Sequence, residues 1–189
     1  MNLEDLTLAE IAAVVYRHLR EVGVEAVVVG GSSITIHVPA VYTSADIDLA
    51  LISGFNRSKV AKTLERLGFH ERGRDFVHPG VPYTIDLVAE TPYIDQRAIK
   101  DFATVHTSEG PVRTYYIEDA AADRIAAWVY WSDSESLDVA ERALSAAAKN
   151  VERDRLAAAL DAIEAGDRSS KDRLNLARGR LSKIVGSIL

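Results

Sequence analysis

Two aspartates separated by a single residue, Asp46-Ile47-Asp48, are the first candidates for chemistry in this chain. In a strand, residues i and i+2 project from the same face, so both carboxylates would stand side by side while Ile47 points into a core. Like charges this close raise each other's pKa unless a cation compensates them. Carboxylate oxygens suit Mg²⁺ or Mn²⁺. The alternative is an exposed strand end with two solvated aspartates, which the apolar run at 49–52 makes less favourable.

A third carboxylate, Asp86, lies in the strand-like run 83–88. An isolated charge in a buried strand is costly unless it is paired or bound to a metal. We therefore predict that Asp46, Asp48 and Asp86 lie together on adjacent strands. Such a cluster can hold two divalent ions about 4 Å apart, the arrangement used for in-line phosphoryl transfer.

A glycine-rich turn, Gly30-Gly31-Ser32, follows the apolar run 25–29 directly. Glycines let the backbone approach a ligand closely, and the N-terminus of a following helix presents free N–H groups. The Ser32 hydroxyl adds another hydrogen-bonding group. These features suit a phosphate, although a Gly-Gly-Ser sequence is more often only a turn.

The elements that must position these residues follow from hydrophobic periodicity. A helix begins after Thr7, with Glu10 completing a capping box, and ends at Gly23. A short helix is predicted for 32–40 because this segment follows a Gly-Gly-Ser turn, with a strand, which its β-branched residues favour, as the alternative. Another helix is predicted from Asn56 or Ser58 to Gly68. Strands are predicted at 25–29, 46–52, 69–71, 75–78, 83–88, 103–106 and 112–116.

The character of the chain changes at Ile117, after which it is alanine-rich and free of proline. Helices are predicted at roughly 118–131, 134–149, 152–165 and 168–186. The fold class is therefore α/β (α+β), a mixed sheet with flanking helices followed by a helical subdomain. The predicted domains are 1–116 and 117–189.

Taken together, the glycine turn, the Asp-x-Asp pair and the later aspartate resemble the nucleotidyltransferase superfamily typified by DNA polymerase beta. The resemblance covers roughly residues 24–90, with a spacer of residues 33–45 between the Gly-Ser and the aspartate pair. It implies that the glycine turn (Gly30, Gly31 and Ser32) binds the triphosphate and that Asp46 and Asp48 bind the metals. It also implies that Asp86 binds one metal and helps to deprotonate the attacking hydroxyl.

A second resemblance covers residues 118–133, which look like a signature of bacterial nucleotidyltransferase-like proteins related to type IV toxin–antitoxin toxins. It makes Arg124 a candidate nucleotide-binding residue, since a guanidinium fork suits a phosphate. The alternative for Arg124 is a surface ion pair with Asp119 or Asp123. Trp128 and Trp131, three residues apart, are predicted to be core residues in preference to a base-stacking platform.

Composition excludes several classes of protein. There are no cysteines, which excludes a disulfide scaffold, a thiolate zinc site and a cysteine nucleophile. The formal net charge of −6 argues against broad nucleic-acid binding. No stretch is long and apolar enough for a membrane span, and the acidic N-terminus is unlike a secretory signal, so a cytoplasmic location is expected. The basic tail from Lys171 onward is interpreted as a solvated helix face, with an RNA or protein patch as the alternative.

The leading hypothesis is a Mg²⁺-dependent (or Mn²⁺-dependent) nucleotidyltransferase. It would move a nucleoside monophosphate from an NTP to a hydroxyl of an RNA, a protein or a small molecule, and a role in a toxin–antitoxin pair would add a cognate antitoxin as a partner. The main alternative is a binding or interaction module of the same fold without catalysis. A third hypothesis is an adenylyltransferase of the antibiotic-modifying kind.

Overall fold

The computed structural model describes residues 2–52, 54, 56–89 and 91–186. The helices are α1 (Leu8–Glu21), α2 (Gly30–His37), α3 (Arg57–Arg66), α4 (Ile117–Trp131), α5 (Ser134–Ala147), α6 (Arg153–Asp161) and α7 (Arg168–Val185). The strands are β1 (Ala26–Val29), β2 (Asp46–Leu51), β3 (His70–Arg72), β4 (Asp75–Val77), β5 (Thr84–Ala89), β6 (Tyr93–Ile94), β7 (Arg97–Ala98), β8 (Ala103–Thr107) and β9 (Gly110–Thr114).

Seven strands form one mixed sheet in the order β3-β4-β5-β2-β1-β9-β8, and β6 and β7 form a separate hairpin. The central pair β2–β5 is parallel, β1 is antiparallel to β2 and parallel to β9, and the remaining neighbours are antiparallel. The two strands that carry the aspartates, β2 and β5, are therefore neighbours in the interior of the sheet.

Strand β1 shows why the apolar runs are continuous. Val27 and Val29 join the core beneath helices α4–α7, while Val28 joins the core beneath α1 and α3. A strand buried on both faces needs apolar residues at every position. The predicted helix start is also confirmed, because the Thr7 side chain and Glu10 form a reciprocal capping box at α1.

The predicted helical half is confirmed over the described residues 117–186, which form α4–α7 with no strand among them. Its apolar side chains share one core with Val27 and Val29 of the sheet. The helical half therefore packs directly on the sheet face that carries the aspartates. The division into subdomains at 116/117 stays a prediction. Across the described residues, no helix has both the length and the apolarity needed to cross a bilayer.

Two features differ from expectation. The β6–β7 hairpin was not predicted, because strands of two residues are too short to show an alternating pattern. The prediction that both tryptophans are core residues holds for Trp128, which is buried, and is wrong for Trp131, whose side chain is 80% exposed. Trp131 is the last residue of α4, beyond the part of the helix that packs on its neighbours.

Candidate active site

The predicted adjacency of the two aspartate-bearing strands is confirmed. In the parallel β2–β5 pair, Asp48 lies opposite Asp86 and Asp46 opposite Thr84. Because strands of a sheet are about 4.8 Å apart, residues in register on one face are close neighbours. Ile47 is fully buried on the other face, as the alternation requires. All three aspartates thus point toward the side of the sheet covered by α4.

Asp48 carries the strongest electrostatic signal of the three carboxylates. Burial, and then the charge of Asp46, raise the pKa of Asp48 from 3.8 to about 7, with a smaller contribution from Asp86. Arg124 acts in the opposite direction without cancelling them. The Asp48 carboxyl is therefore only partly ionised near neutral pH, because the nearby positive charge does not offset its burial and its anionic neighbours.

The flanking aspartates are held by groups at the rim of the site. The Ser44 hydroxyl donates to Asp46 Oδ1 at 2.7 Å. An Arg74 Nη2 lies 3.4 Å from Asp86 Oδ2, on a side chain that is 83% exposed. Among the described residues, no group of three or more His, Asp or Glu side chains is arranged closely enough to hold a metal ion. The aspartates share a face, but Asp86 is turned toward Arg74.

Gly30 is required where β1 passes into α2. Its φ of +62° lies in the left-handed region, and a Cβ there would come within 2.3 Å of Asp48 Oδ2. A larger residue would therefore collide with the carboxylate. The first turn of α2 has no side-chain cap, since its N-cap residue is Val29. Its N–H groups are consequently available to an anion beside Asp48.

Ser32 is fully buried and acts as a connector in this structure. Its hydroxyl donates to the Val29 carbonyl at 2.8 Å and accepts from the Asp48 N–H at 3.1 Å. These bonds tie the glycine turn to β2 and fix the backbone of Asp48. Gly31 is also buried, against the Tyr42 ring. The predicted triphosphate-binding role of the glycine turn stays a prediction.

A cleft of about 270 Å³ opens beside Asp48, between the sheet, the β6–β7 hairpin and α4. Its lining residues are Val29, Gly30, Asp48, Val88, Pro92, Tyr93, Tyr115, Asp123 and Arg124. The helical half therefore forms one wall of the cleft. Sequence reasoning missed Val88, Pro92, Tyr93, Tyr115 and Asp123, because their place depends on how distant elements meet.

Arg124 lines the cleft and also forms the ion pair with Asp123 that was one of the alternatives, while its nucleotide-binding role stays a prediction. Its Nη2 donates to Asp123 Oδ2 at 2.8 Å, while its buried Nε has no hydrogen-bond partner among the described residues. Burial, the largest single influence, lowers the pKa of Arg124, but the charge and hydrogen bond of Asp123, together with Tyr42 and Asp48, raise this pKa on balance. A permanent cation with an unused donor thus lines the cleft near Asp48.

A larger cleft, of about 350 Å³, lies on another part of the surface beside Tyr16. Its cations already have partners, since Arg20 is 3.2 Å from Glu25 and Arg17 donates to the Glu109 carbonyl. Size alone therefore does not identify the site. The smaller cleft combines a carboxylate of perturbed pKa with an unused donor, which is the pattern expected of a functional site.

No family model matches this chain, and no curated protein matches it. Solved structures that do match include the antibiotic-resistance factor ANT(2″)-Ia in solution, at 17% identity over 93% of each chain with a TM-score of 0.47. The crystal structure of ANT(2″)-Ia with adenylyl-2″-tobramycin matches at 17% identity, covering 92% of this chain and 98% of that one, with a TM-score of 0.48.

An antigenic nucleotidyltransferase-like protein from Paracoccidioides brasiliensis matches at 12% identity, covering 93% of this chain and 87% of that one, with a TM-score of 0.48. Each of these likenesses extends over more than nine-tenths of this chain.

Proposed function

We propose that this chain is a Mg²⁺-dependent nucleotidyltransferase, which moves a nucleoside monophosphate from an NTP to a hydroxyl acceptor. The observation that carries the proposal is the position of three aspartates on one face of the paired strands β2 and β5, beside the uncapped N-terminus of α2. Arg124 faces the same cleft. Carboxylates for metal and N–H donors for phosphate are the two complementary halves of a phosphoryl-transfer site.

The carboxylates fit a divalent cation as a donor set. Asp46, Asp48 and Asp86 present hard oxygen ligands on one face, and the pKa of Asp48 is raised chiefly by burial and then by the charge of Asp46. These three residues would hold the metal once Asp86 leaves Arg74, an exposed partner whose pairing costs little to break. Bound there, Mg²⁺ would neutralise charge between the carboxylates and the triphosphate.

Backbone and side-chain groups of the protein position the phosphates, and one carboxylate accepts a proton. The first-turn N–H groups of α2 and the guanidinium of Arg124 bind the triphosphate. The acceptor oxygen attacks the α-phosphorus and forms the new P–O bond, while the bond to the β-phosphate oxygen breaks and pyrophosphate leaves. The hydroxyl proton passes to the carboxylate of Asp86, which is 16% exposed and so reachable from solvent.

Charge distribution favours a small-molecule or protein acceptor over RNA. The net charge is −6, and several cations of α7 are engaged within the chain: Arg178 pairs with Asp161 and Arg180 with Glu141. Long RNA binding requires a continuous basic surface. A role in a toxin–antitoxin pair stays a prediction from the resemblance alone.

The direct test is incubation of the protein with each α-labelled NTP, Mg²⁺ or Mn²⁺, and pools of small molecules, proteins or total RNA. We expect label to move to one acceptor pool and to stop when the metal is chelated. Asp172→Ala is a suitable control, because Asp172 is an exposed aspartate on α7. Stabilisation by NTP and Mg²⁺ without transfer in any pool would instead support the non-catalytic binding module.

A further inference from the structure

Two of the exposed large apolar side chains of this protein lie inside the cleft. Val88 is 45% exposed and Tyr93 is 55% exposed, and both line the cavity that contains Asp48 and Arg124. The backbone of Tyr93 pairs with Ala98 across the hairpin, whereas its side chain makes no hydrogen bond or ring contact with the described residues. An aromatic ring left open to a cleft that also holds charged groups is available for a flat ligand.

The outward orientation of Tyr93 follows from the strand alternation of the β6–β7 hairpin. Its neighbour Ile94 is 1% exposed and packs in the core beneath α4, so Tyr93 must point the other way. Ile99, also buried, closes the base of the hairpin by donating its N–H to the Pro92 carbonyl at 2.8 Å. The ring is therefore carried on a firmly packed element.

The tip of the hairpin is fixed by a residue in a costly conformation. Asp95 has a φ of +51°, in the left-handed region that non-glycine residues seldom adopt. Its Oδ2 accepts from the Tyr130 hydroxyl at 2.5 Å and from the Glu164 N–H at 2.6 Å. Backbone strain persists where the surroundings over-determine it, and it concentrates at binding sites.

The second strand of the hairpin is tied to a buried ion-pair network. Arg97 donates to Asp119 Oδ1 at 3.2 Å, and Asp119 is completely buried. Arg155 donates to the other oxygen of Asp119 at 2.9 Å and stacks over the Tyr116 ring at 3.7 Å. The hairpin is thus anchored by core packing, by the Asp95 contacts and by an ion pair.

We propose that this hairpin is the nucleobase-binding wall of the cleft, with Tyr93 stacking on the base of the NTP. The inference rests on the proposed function and adds a specificity-determining residue to it. A rigid, outward-facing ring loses little conformational entropy on binding. The phosphate donors proposed above, Gly30 and Arg124, line the same cleft, so the base of that nucleotide can reach Tyr93.

The test compares the Mg²⁺-dependent binding of ATP, GTP, CTP and UTP with that of inorganic tripolyphosphate, which lacks a base, by isothermal titration calorimetry. Tyr93→Ala should weaken binding of the preferred NTP roughly 5- to 150-fold, the range found when one stacking aromatic is removed. Tripolyphosphate affinity should be unchanged. Tyr93→Phe should bind NTP like the wild type, and Trp131→Ala, which removes an exposed aromatic outside the cleft, serves as the matched control.

The outcomes separate the two proposals. If wild type binds tripolyphosphate and NTP equally well, or if Tyr93→Ala binds NTP as tightly as wild type, the nucleobase wall is overturned while the proposed function stands. A Tyr93→Ala variant with unchanged NTP affinity and a raised KM for the acceptor would show that the Tyr93 ring contacts the acceptor. That result would also overturn the nucleobase wall. If wild type binds neither tripolyphosphate nor NTP with Mg²⁺, the proposed function fails and the inference fails with it.

Discussion

Asp119 is completely buried and Asp48 is partly buried at the edge of a cleft, and the protein compensates their charges very differently. Asp119 has no exposed surface and lies between Arg97 at 3.2 Å and Arg155 at 2.9 Å. Asp48 lies opposite Asp86 and two residues from Asp46, with Arg124 as its cationic neighbour. Arg124 is itself paired with Asp123.

The pKa of each carboxyl is raised, and in each burial is the main cause, but the remaining causes differ. Around Asp119 the two arginines lower the pKa again, whereas around Asp48 the neighbouring aspartates raise it further. Removing a fully paired buried carboxylate leaves its partners with uncompensated charge and destabilises the fold. A carboxylate whose neighbours are also anionic needs its counter-charge from outside the chain, as a metal site does.

The largest expected effect is on transfer activity. Asp48→Ala should reduce NTP-dependent labelling of the acceptor below detection, a loss beyond the roughly 10²–10³-fold caused by removing one preorganised stabilising group. Asp119→Asn, which keeps the side-chain shape in the other carboxylate site, should retain most of the activity. Labelling rates of both variants under Mg²⁺ check the contrast, and an Asp48→Ala enzyme working at the wild-type rate would contradict it.

For the stability of the fold, we expect substitution at Asp119 to have the larger effect and substitution at Asp48 the smaller one. Asp119→Ala should lower the free energy of unfolding by about 1.5–3 kcal/mol, because Arg97 and Arg155 lose charge-assisted hydrogen bonds to a buried carboxylate while Arg155 keeps its ion pair with Asp101. Urea denaturation followed by circular dichroism measures this difference. A change below about 1 kcal/mol would mean that solvent, rather than Asp119, satisfies the two arginines.

Asp48→Asn should stabilise the metal-free protein above neutral pH. The folded pKa of about 7 lies above the ordinary value of 3.8, so the stability that Asp48 contributes is fully present below about pH 4 and is lost as pH rises through 7. The asparagine variant should match wild type near pH 4 and exceed it by about 1–3 kcal/mol at pH 8. Denaturation in EDTA across this range tests the sign, and Mg²⁺ should then stabilise wild type preferentially.

The smallest effect concerns Arg74, whose ion pair with Asp86 is exposed on the arginine side. Arg74→Ala should change the free energy of unfolding by less than about 1 kcal/mol, as exposed ion pairs do. It should also free Asp86 and tighten Mg²⁺ affinity by up to about fivefold. Calorimetric titration with Mg²⁺ distinguishes this from the opposite result, weaker binding, which would give Arg74 a supporting role in the site.

Local patterns in the chain were sufficient to predict most elements correctly. The capping box of Thr7 and Glu10, the doubly buried run of β1 and the helical periodicity after residue 116 each involve residues close in sequence. The hairpin β6–β7 was missed because its turn uses Asp95 at positive φ in place of the expected glycine. Trp131 was misplaced because helical spacing does not show where the packing of a helix ends.

The sequence alone determined that Asp46 and Asp48 share a face and that Asp86 interrupts an apolar strand, because side-chain alternation has a fixed period of two. Only the tertiary structure decided that Asp86 lies opposite Asp48 and that Arg74 forms an ion pair with Asp86. The same holds for the cleft beside Asp48, which Tyr93 and Arg124 help to line. Strand order and helix docking join residues far apart in the chain. Their choice depends on the packing of whole elements, which no short stretch of sequence contains.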